Sequence, residues 1–526
     1  MAEPSAERSG RAVPPAYRRI AASIRARIEA GELAPGDRLA PIRALADELG
    51  VHRDTVSQAY ETLRAQGLVE SGVGRGTFVA PSLGVRAAPT APAASLAFAP
   101  TTEELLAFDA GRPRFPSVAL GGAPDAEPSR RVESGTAPRE IVALHKLVPD
   151  PALYPAAAFR RALHEVLGET GPELLLYGGA QGHVGLREAI ARRLAAAGAP
   201  DARADDVVLC HGASQGIALA LRVFASAGDA VAVEVPTYAN VLATLVALGV
   251  RAEPVPMQRE GTGAAPDLDA LDRALARPDV RAFYTIPTFH NPLGTSTDLA
   301  HRRALVGIAA RHGKPVIEDA FEMDLRYEGG PVPSLAAVDD AGLVVQLLSF
   351  SKSLFPGVRA GAIAARGRVV DALVALKHAT DLSDSLPLQA ALARLLESGA
   401  YDRHLAKLRR ELRARRDAML AALERHMPEG TTWTRPSGGY QLWVDLPREP
   451  HAIDARDLLA DAAREGVLFA PGSEFAPGRP PSGGLRLTVA QAGPAAIERG
   501  IAALARVVRA HQGEDRAARQ SAAVQL

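Results

Sequence analysis

The chain has 526 residues, which is too long for a single hydrophobic core. Its composition, with 47% hydrophobic and 23% charged residues, is that of an ordinary globular protein. Its 60 basic and 60 acidic residues cancel, which means that any contact with nucleic acid must use local patches. One cysteine, Cys210, excludes an internal disulfide and a metal site built on paired cysteines. The sequence shows neither a bilayer-spanning apolar run nor a signal-peptide pattern, and we expect a cytoplasmic protein.

Residues 14–80 have helical periodicity followed by a strand pattern. The run "YRRIAASIRARIEAG" places Ile20, Ile24 and Ile28 at four-residue spacing on one helix face. "PIRALADELG" and "VHRDTVSQAYETLRAQG" predict two more helices joined tightly through Gly50, which is the helix-turn-helix pattern. "LVESGVGRGTFVA" predicts a β-hairpin wing around a glycine-rich tip. The alternative is a small helical dimerisation domain.

Arginine positions favour DNA binding over that alternative, although the segment has almost as many acids as arginines. Arg43 and Arg53 begin the two paired helices and Arg75 lies at the wing tip, positions that face the duplex when the second helix enters the major groove. The segment from "LAPIRALADELG" to "GRGTFV" resembles the winged helix-turn-helix of GntR-type bacterial regulators. This resemblance implies DNA contacts by Arg43, Arg53, Thr55, Gly74 and Arg75.

The remainder of the chain divides into a linker and an α/β domain. Residues 81–138 are rich in Pro, Ala, Gly and Ser, which predicts a semi-extended linker with a short helix at "TTEELLAF". From 139 to 510, short β-branched runs alternate with longer helical stretches, which predicts an α/β domain with a largely parallel sheet.

Polar residues follow five predicted strands of this domain, and ligands of open α/β sheets bind beyond the carboxyl ends of strands. Taken singly, such residues are more often helix caps, turn formers or packing groups. Together they supply different parts of one binding site. In chain order they are Ala213 and Ser214, Tyr238, Asn291, Asp319, and Ser349, Ser351 and Lys352 followed by Arg359.

These residue types match the requirements of pyridoxal 5′-phosphate. Lys352 supplies the amine for a Schiff base, and Asp319 keeps the pyridine nitrogen protonated. Asn291 is placed to hydrogen-bond the ring 3′-oxygen, and Tyr238 to lie on the ring face. A helix N-terminus and hydroxyl or guanidinium donors suit the phosphate, a role that we assign to Ala213, Ser214, Ser349, Ser351 and Arg359.

The run from "LYPAAAFRRAL" to "GLRLTVAQAG" resembles fold-type I aminotransferases near the kynurenine and α-aminoadipate enzymes. This implies a large domain with a mixed, mostly parallel sheet and a smaller α+β domain. It also implies that Tyr177 reaches the cofactor phosphate of the other subunit in a homodimer, and that Arg486 binds a substrate carboxylate. Simple packing for Tyr177 and a surface ion pair for Arg486 are the alternatives. In "EDAFEMDLRY", Phe321 occupies the position where such enzymes usually carry a tyrosine that donates to the 3′-oxygen.

A GntR-type winged helix joined through a long linker to an aminotransferase-like domain resembles the MocR family of bacterial regulators. The resemblance implies a dimeric transcription factor that binds operator DNA and senses an amino compound as an external aldimine that displaces Lys352. Two alternatives stay open: a regulator that senses pyridoxal phosphate itself, and an active aminotransferase that carries a DNA-binding domain. We expect no metal site and no membrane partner.

Overall fold

The computed structural model describes residues 16–29, 32–34, 36–65, 68–72, 76–79, 99–109, 141–199, 201–449 and 451–524. The chain forms two compact units, residues 1–97 and residues 98–526, and each is described by itself. Within the described ranges, no helix is both long enough and apolar enough to cross a membrane.

The first unit is a winged helix-turn-helix. Its elements are α1 (Ala16–Glu29), α2 (Ile42–Leu49), α3 (Arg53–Ala65), β1 (Val69–Gly72) and β2 (Gly76–Val79). Ile20, Ile24 and Ile28 are buried in one apolar cluster with Leu63 of α3, as their spacing predicts. Gly50 ends α2 in the left-handed conformation, with φ of 62°, which glycine adopts at little cost and which turns the chain into α3. Strands β1 and β2 pair antiparallel, so the predicted wing is present.

The second unit is an α/β domain in which helices and strands alternate along most of the chain. Its helices are α4 (Pro100–Asp109), α5 (Ala156–Thr170), α6 (Val184–Ala196), α7 (Ala213–Phe224), α8 (Ala239–Leu248), α9 (Leu268–Leu275), α10 (Leu299–His312), α11 (Arg368–Thr380), α12 (Leu386–Glu397), α13 (Ala400–His426), α14 (Leu459–Arg464) and α15 (Pro494–Val524). The short helix predicted at "TTEELLAF" is α4.

The strands of the second unit follow. They are β3 (Val142–Ala143), β4 (Val207–Cys210), β5 (Ala230–Val235), β6 (Arg251–Glu260), β7 (Gly263–Pro266), β8 (Val280–Thr285), β9 (Val316–Asp319), β10 (Val344–Ser349), β11 (Gly361–Ala364), β12 (Thr432–Trp433), β13 (Gln441–Asp445), β14 (Val467–Leu468), β15 (Ala470–Pro471) and β16 (Gly484–Thr488).

An eight-stranded sheet in the order β4-β11-β10-β9-β8-β5-β6-β7 contains the five strands that precede the predicted site residues. Strands β10, β9, β8 and β5 pair parallel to one another. Strand β11 pairs antiparallel with both β10 and β4, so β4 runs in the same direction as β10. The carboxyl ends of β4, β5, β8, β9 and β10 therefore meet at one edge, where a mostly parallel sheet binds its ligand.

The sheet is covered by apolar helix faces, which explains its continuous buried runs. One cluster contains Ile217 of α7, Leu242 of α8 and Leu373 of α11. Another contains Leu271 of α9 and Leu305 of α10. The expected mixed, mostly parallel sheet is thus confirmed.

A smaller sheet, in the order β12-β13-β16-β15, forms the expected α+β part near the end of the chain. The long helices α13 and α15 contribute Leu412, Met419, Ile501 and Leu504 to the apolar cluster that also contains residues of this sheet. Strands β13 and β16 pair antiparallel, which sets Trp443 opposite Arg486.

Candidate functional site

Lys352 lies just past the end of β10, and its side chain is drawn into the protein. Its Nζ donates a hydrogen bond to the backbone oxygen of Leu147. Burial lowers the pKa of Lys352 to about 8; the carboxyl of Glu322 raises this pKa, and the cations of Arg486 and Arg359 lower it. The neutral amine is the form that condenses with an aldehyde, so this environment prepares Lys352 for a Schiff base near neutral pH.

Asp319 ends β9, the strand beside β10, and is only 1% exposed. The Tyr284 hydroxyl donates to Asp319 Oδ2 at 2.7 Å. Within the described part of the chain, Oδ1 is buried and has no hydrogen-bond partner. Burial raises the pKa of Asp319 to about 6, while the Tyr284 hydroxyl and the nearby Phe321 backbone N–H lower it. A buried carboxylate oxygen without a donor is what a protonated pyridine nitrogen requires, so this side chain fits pyridoxal 5′-phosphate.

The turn before α7 forms a cradle with Arg359. Gly212 has φ of 78° and precedes α7, which starts with Ala213 and Ser214. A Cβ placed on Gly212 would lie 3.4 Å from Arg359 Nη2, and this guanidinium donates to the His211 backbone oxygen at 2.6 Å. A cation next to free N–H groups at a helix N-terminus suits a phosphate.

The serines predicted for the same phosphate follow β10. The Ser351 backbone N–H donates to Ser349 Oγ at 3.3 Å, which closes the turn that leads into Lys352. Ser351 is 8% exposed. The structure thus places these serines at the same sheet edge as Asp319, and their contact with a phosphate stays a prediction.

A buried charge network near the phosphate turn was missed by the sequence analysis. Lys377 of α11 is fully buried, and its Nζ lies 2.9 Å from Asp381 and 2.8 Å from Asp384. The His211 imidazole lies 2.9 Å from Asp384 as well. The His211, Asp381 and Asp384 side chains have the spacing of metal ligands, but the Lys377 ammonium already supplies the positive charge. We therefore interpret the network as support for the turn that contains His211.

Asn291 and Arg486, to which the sequence assigned separate tasks, contact each other. Arg486 Nη1 donates to Asn291 Oδ1 at 3.1 Å, and Nη2 donates to the His145 backbone oxygen at 2.8 Å. The guanidinium carbon lies 5.0 Å from the centre of the Phe475 ring. Burial lowers the pKa of Arg486 to about 10, and its Nε is buried with no hydrogen-bond partner among the described residues. Arg486 is therefore a buried group with an unused donor, unlike the surface ion pair that was the alternative.

The two tyrosines differ in their surroundings. Tyr238 is half-buried at the start of α8, and its hydroxyl accepts a hydrogen bond from Asn240 at 2.9 Å. The Tyr238 side chain raises the pKa of Arg486, so the two side chains lie close to each other. Tyr177 is 87% exposed and follows Leu175 and Leu176, which are 71% and 69% exposed. Tyr177 thus projects from its own chain, and the alternative of simple packing within that chain does not hold.

The segment after Asp319 contains a carboxyl group that sequence reasoning overlooked. Phe321 is 8% exposed and packs in the apolar cluster of Tyr284 and Ile317. The next residue, Glu322, is 1% exposed, and its burial raises the pKa of its carboxyl, while the nearby Lys352 charge lowers that pKa. The available signal was the acid in "DAFEMD", one position after the residue that the resemblance singled out.

In the first unit, the predicted DNA contacts lie on or next to the paired helices. Arg43 in the first turn of α2 and Arg53 at the start of α3 are exposed, and Thr55 is half-buried. The Thr55 backbone N–H donates to the His52 oxygen at 3.0 Å, which begins α3. The predicted wing contacts Gly74 and Arg75 lie outside the described residues.

Two family descriptions match the chain. Residues 152–504 match aminotransferase class I and II, and residues 16–79 match bacterial regulatory proteins of the gntR family. The chain is 32% identical over 375 residues to aromatic-amino-acid aminotransferase 1 of Thermococcus litoralis, covering 70% of this chain and 88% of that protein. It is 29% identical over 495 residues to the probable rhizopine catabolism regulatory protein MocR of Rhizobium meliloti, covering 93% of each.

Solved structures agree with this fold. The kynurenine aminotransferase of Pyrococcus horikoshii superposes with a TM-score of 0.66 and 31% identity, covering 71% of this chain and 91% of that one. The expected cofactor, pyridoxal 5′-phosphate, is confirmed at the level of this family. Because the chain matches both families and aligns with the Rhizobium regulator over 93% of each chain, it belongs to the MocR-type regulators, in which a GntR-type DNA-binding domain is fused to a pyridoxal-phosphate-dependent aminotransferase-like domain.

Proposed function

We propose that this regulator senses an amino compound through the cofactor held on Lys352, with Arg486 binding a carboxylate of that compound. One observation supports the proposal most directly: Arg486, whose Nε is buried without a partner among the described residues, lies close enough to Lys352 to lower its pKa. Asp319, with its unpartnered oxygen, ends the strand next to the one that leads into Lys352. The same chain carries a DNA-binding unit. An amine site joined to a DNA-binding module serves regulation more directly than metabolism.

Each residue of the site has a proposed task. When bound, pyridoxal 5′-phosphate supplies an aldehyde that condenses with primary amines. Lys352 holds that aldehyde until another amine replaces it. Asp319 holds a proton on the ring nitrogen, and Arg359 with the start of α7 neutralises the phosphate. Asn291 orients the Arg486 guanidinium through their 3.1 Å hydrogen bond.

Replacement of Lys352 changes the charge of the buried site, which gives a physical reason for a second conformation. A released Lys352 amine regains the ability to carry a proton near the Arg486 and Arg359 cations, both of which lower its pKa. An effector acts only by binding one conformation better than the other. We propose that relief of this repulsion favours the conformation that alters DNA binding.

We also propose a homodimer in which Tyr177 reaches the cofactor phosphate of the second copy. Supporting it, Leu175, Leu176 and Tyr177 form a run of exposed large side chains, which soluble proteins usually cover with a partner. Arg43, Arg53, Thr55, Gly74 and Arg75 are the proposed DNA contacts. The proposed division is 14–80 for DNA binding, 81–138 for the linker and 139–510 for sensing.

Active transamination is the second candidate. The Lys352 amine, the Asp319 carboxyl and the Arg486–Asn291 pair are the groups that we propose for one site, and an aminotransferase uses the same set. In addition, a relative 32% identical to this chain is named as an aromatic-amino-acid aminotransferase. A sensor and an enzyme differ in whether the bound amine leaves as a keto acid.

The test combines DNA binding with spectroscopy. DNA is selected by the protein itself from a randomised duplex pool, and its affinity is measured by fluorescence anisotropy at fixed salt, because phosphate contacts make affinity depend on salt. The cofactor-loaded protein is titrated with amino acids and amines. The proposal predicts a change in affinity with one amine, absent in Lys352→Ala. A DNA affinity that changes when cofactor is added, and does not change when amines are added, would instead indicate a cofactor sensor. Conversion of the cofactor to its pyridoxamine form, reversed by a keto acid, would indicate transamination.

A further inference from the structure

Glu322 lies three residues after Asp319 and packs against the turn that precedes β13. A Cβ placed on Gly439 would overlap Glu322 Oε2, so the carboxyl lies directly against the backbone of this turn. Gly439 has φ of 74°, a conformation that other residues rarely adopt. The next residue, Tyr440, donates its hydroxyl hydrogen to the Lys352 backbone oxygen at 2.7 Å. This turn therefore links Glu322 to Lys352.

Three buried oxygens in this region lack a donor among the described residues. They are both carboxyl oxygens of Glu322 and Oε1 of Gln441. Gln441 Nε2 donates to the Phe289 oxygen at 2.7 Å, which fixes the amide with its oxygen free. The Gln441 side chain and the Tyr440 backbone N–H lie near enough to lower the pKa of Glu322, although neither forms a hydrogen bond with its carboxyl.

Titratable groups approach Glu322 from four directions. Lys352 follows β10, Arg486 lies on β16, Tyr440 precedes β13, and Tyr327 follows the same loop as Glu322. Burial raises the pKa of Glu322 to about 8, and the Lys352 cation lowers it. Burial lowers the pKa of Lys352 to about 8. Burial therefore moves the two pKa values toward each other, which lowers the cost of proton transfer between these groups.

We propose that Glu322 accepts the proton that an incoming ammonium group must lose before its nitrogen can bond to the cofactor aldehyde carbon. The inference rests on the proposed function, because it assumes that amines exchange at Lys352. Neither oxygen of Glu322 has a hydrogen-bond partner among the described residues, so the carboxyl is not held in an ion pair with Lys352. An acceptor oxygen that is buried, unpartnered and close to the reacting nitrogen is suited to this task.

The transfer balances in atoms and charge. A carboxylate and an ammonium become a carboxylic acid and a neutral amine. The amine nitrogen then bonds to the aldehyde carbon and passes its two remaining hydrogens to the Lys352 nitrogen, which breaks its bond to that carbon and leaves as a free NH2 group. The Lys352 amine takes the proton back from Glu322, so the site regains an ammonium and a carboxylate.

Two probes that differ by one oxygen atom test the proposal. Glycine carries an ammonium at neutral pH, whereas the nitrogen of aminooxyacetate is already unprotonated. Stopped-flow absorbance follows replacement of Lys352 on the cofactor, without any need for turnover. Glu322→Gln is expected to slow the reaction with glycine by about 100-fold, the contribution of a positioned base, and to leave the reaction with aminooxyacetate unchanged. Glu328→Gln, which removes a half-exposed carboxyl from the same loop, should change neither rate.

Equal slowing of both probes, or equal glycine rates in wild type and Glu322→Gln, would overturn the proposal. A wild-type protein that reacts with aminooxyacetate and not with glycine would overturn it as well. If Glu322→Gln does not hold the cofactor, the wild-type pH profile decides: the glycine rate must rise with ionisation of a group near pH 8, ahead of the ionisation of glycine itself. Failure of the proposed function would be seen in a different measurement, because no amine would then change the affinity for DNA.

Discussion

Replacing Asp319 by Asn should weaken cofactor binding and remove a pH-dependent loss of stability from the cofactor-free protein. The buried Asp319 carboxyl has its pKa raised from 3.8 to about 6, so the folded state holds its proton more tightly than the unfolded state. As pH rises from about 4 to about 6, the unfolded state ionises first, and the free energy of unfolding falls. A shift of about two units corresponds to about 3 kcal/mol, fully lost above pH 6.

The cofactor offsets this loss because its protonated ring nitrogen gives the unpartnered Oδ1 a charged donor. A hydrogen bond to a charged group contributes about 1.5–3 kcal/mol, so Asp319→Asn should bind pyridoxal 5′-phosphate about 10- to 100-fold more weakly. Fluorescence titration of the cofactor-free protein measures this affinity. Affinity equal to that of wild type would refute the assignment of Asp319 to the ring nitrogen.

Thermal unfolding of the cofactor-free protein between pH 4.5 and 8 tests the stability part. The melting temperature of wild type should fall as pH rises across this range, and the melting temperature of Asp319→Asn should fall less. Tyr284→Phe is the matched control, because it keeps the Asp319 carboxyl and removes the hydroxyl that donates to Oδ2 at 2.7 Å. Loss of this donor raises the pKa of Asp319 further. The melting temperature of Tyr284→Phe should therefore fall more than that of wild type between pH 4.5 and 8. Identical pH profiles for the three proteins would refute the reasoning.

Three further substitutions address the other parts of the account. Lys352→Ala should abolish the covalent cofactor adduct and its visible absorbance while the protein still folds; a surviving adduct would show that another lysine is used. Arg486→Gln should weaken binding of carboxylate-bearing amines by about 10- to 100-fold, because a charge-assisted contact is lost, and should spare amines without a carboxylate. Equal losses for both ligand classes would contradict that role. Arg53→Ala should weaken binding to the selected DNA and reduce the salt dependence by about one phosphate contact, leaving cofactor absorbance unchanged; unchanged DNA affinity would remove Arg53 from the interface.

Local sequence patterns were sufficient for the elements and for most of the site. The spacing of Ile20, Ile24 and Ile28 reflects one helix face, which is set by local geometry. The residues after the strands of the sheet converge because parallel strands place their carboxyl ends at one edge, so Asp319 and Lys352 needed only their strand assignments.

Contacts between distant segments could not be predicted in this way. Arg486 and Asn291 are 195 positions apart, and their hydrogen bond depends on how the smaller sheet packs on the large one. The importance of Glu322 depends on the turn at Gly439, whose backbone approaches the carboxyl. No periodicity reports such an approach. Attention to Phe321 came from a family pattern, whereas the carboxyl that affects Lys352 belongs to its neighbour.

The most direct test of the central claim is the affinity of the cofactor-loaded protein for its selected DNA, measured as a function of added amine in wild type and in Lys352→Ala. The account predicts that one carboxylate-bearing amine changes the wild-type affinity, at the same concentrations at which it shifts the cofactor absorbance, and leaves Lys352→Ala unaffected. An absorbance shift without any change in DNA affinity would contradict the account, because the amine site would then have no regulatory connection to DNA binding.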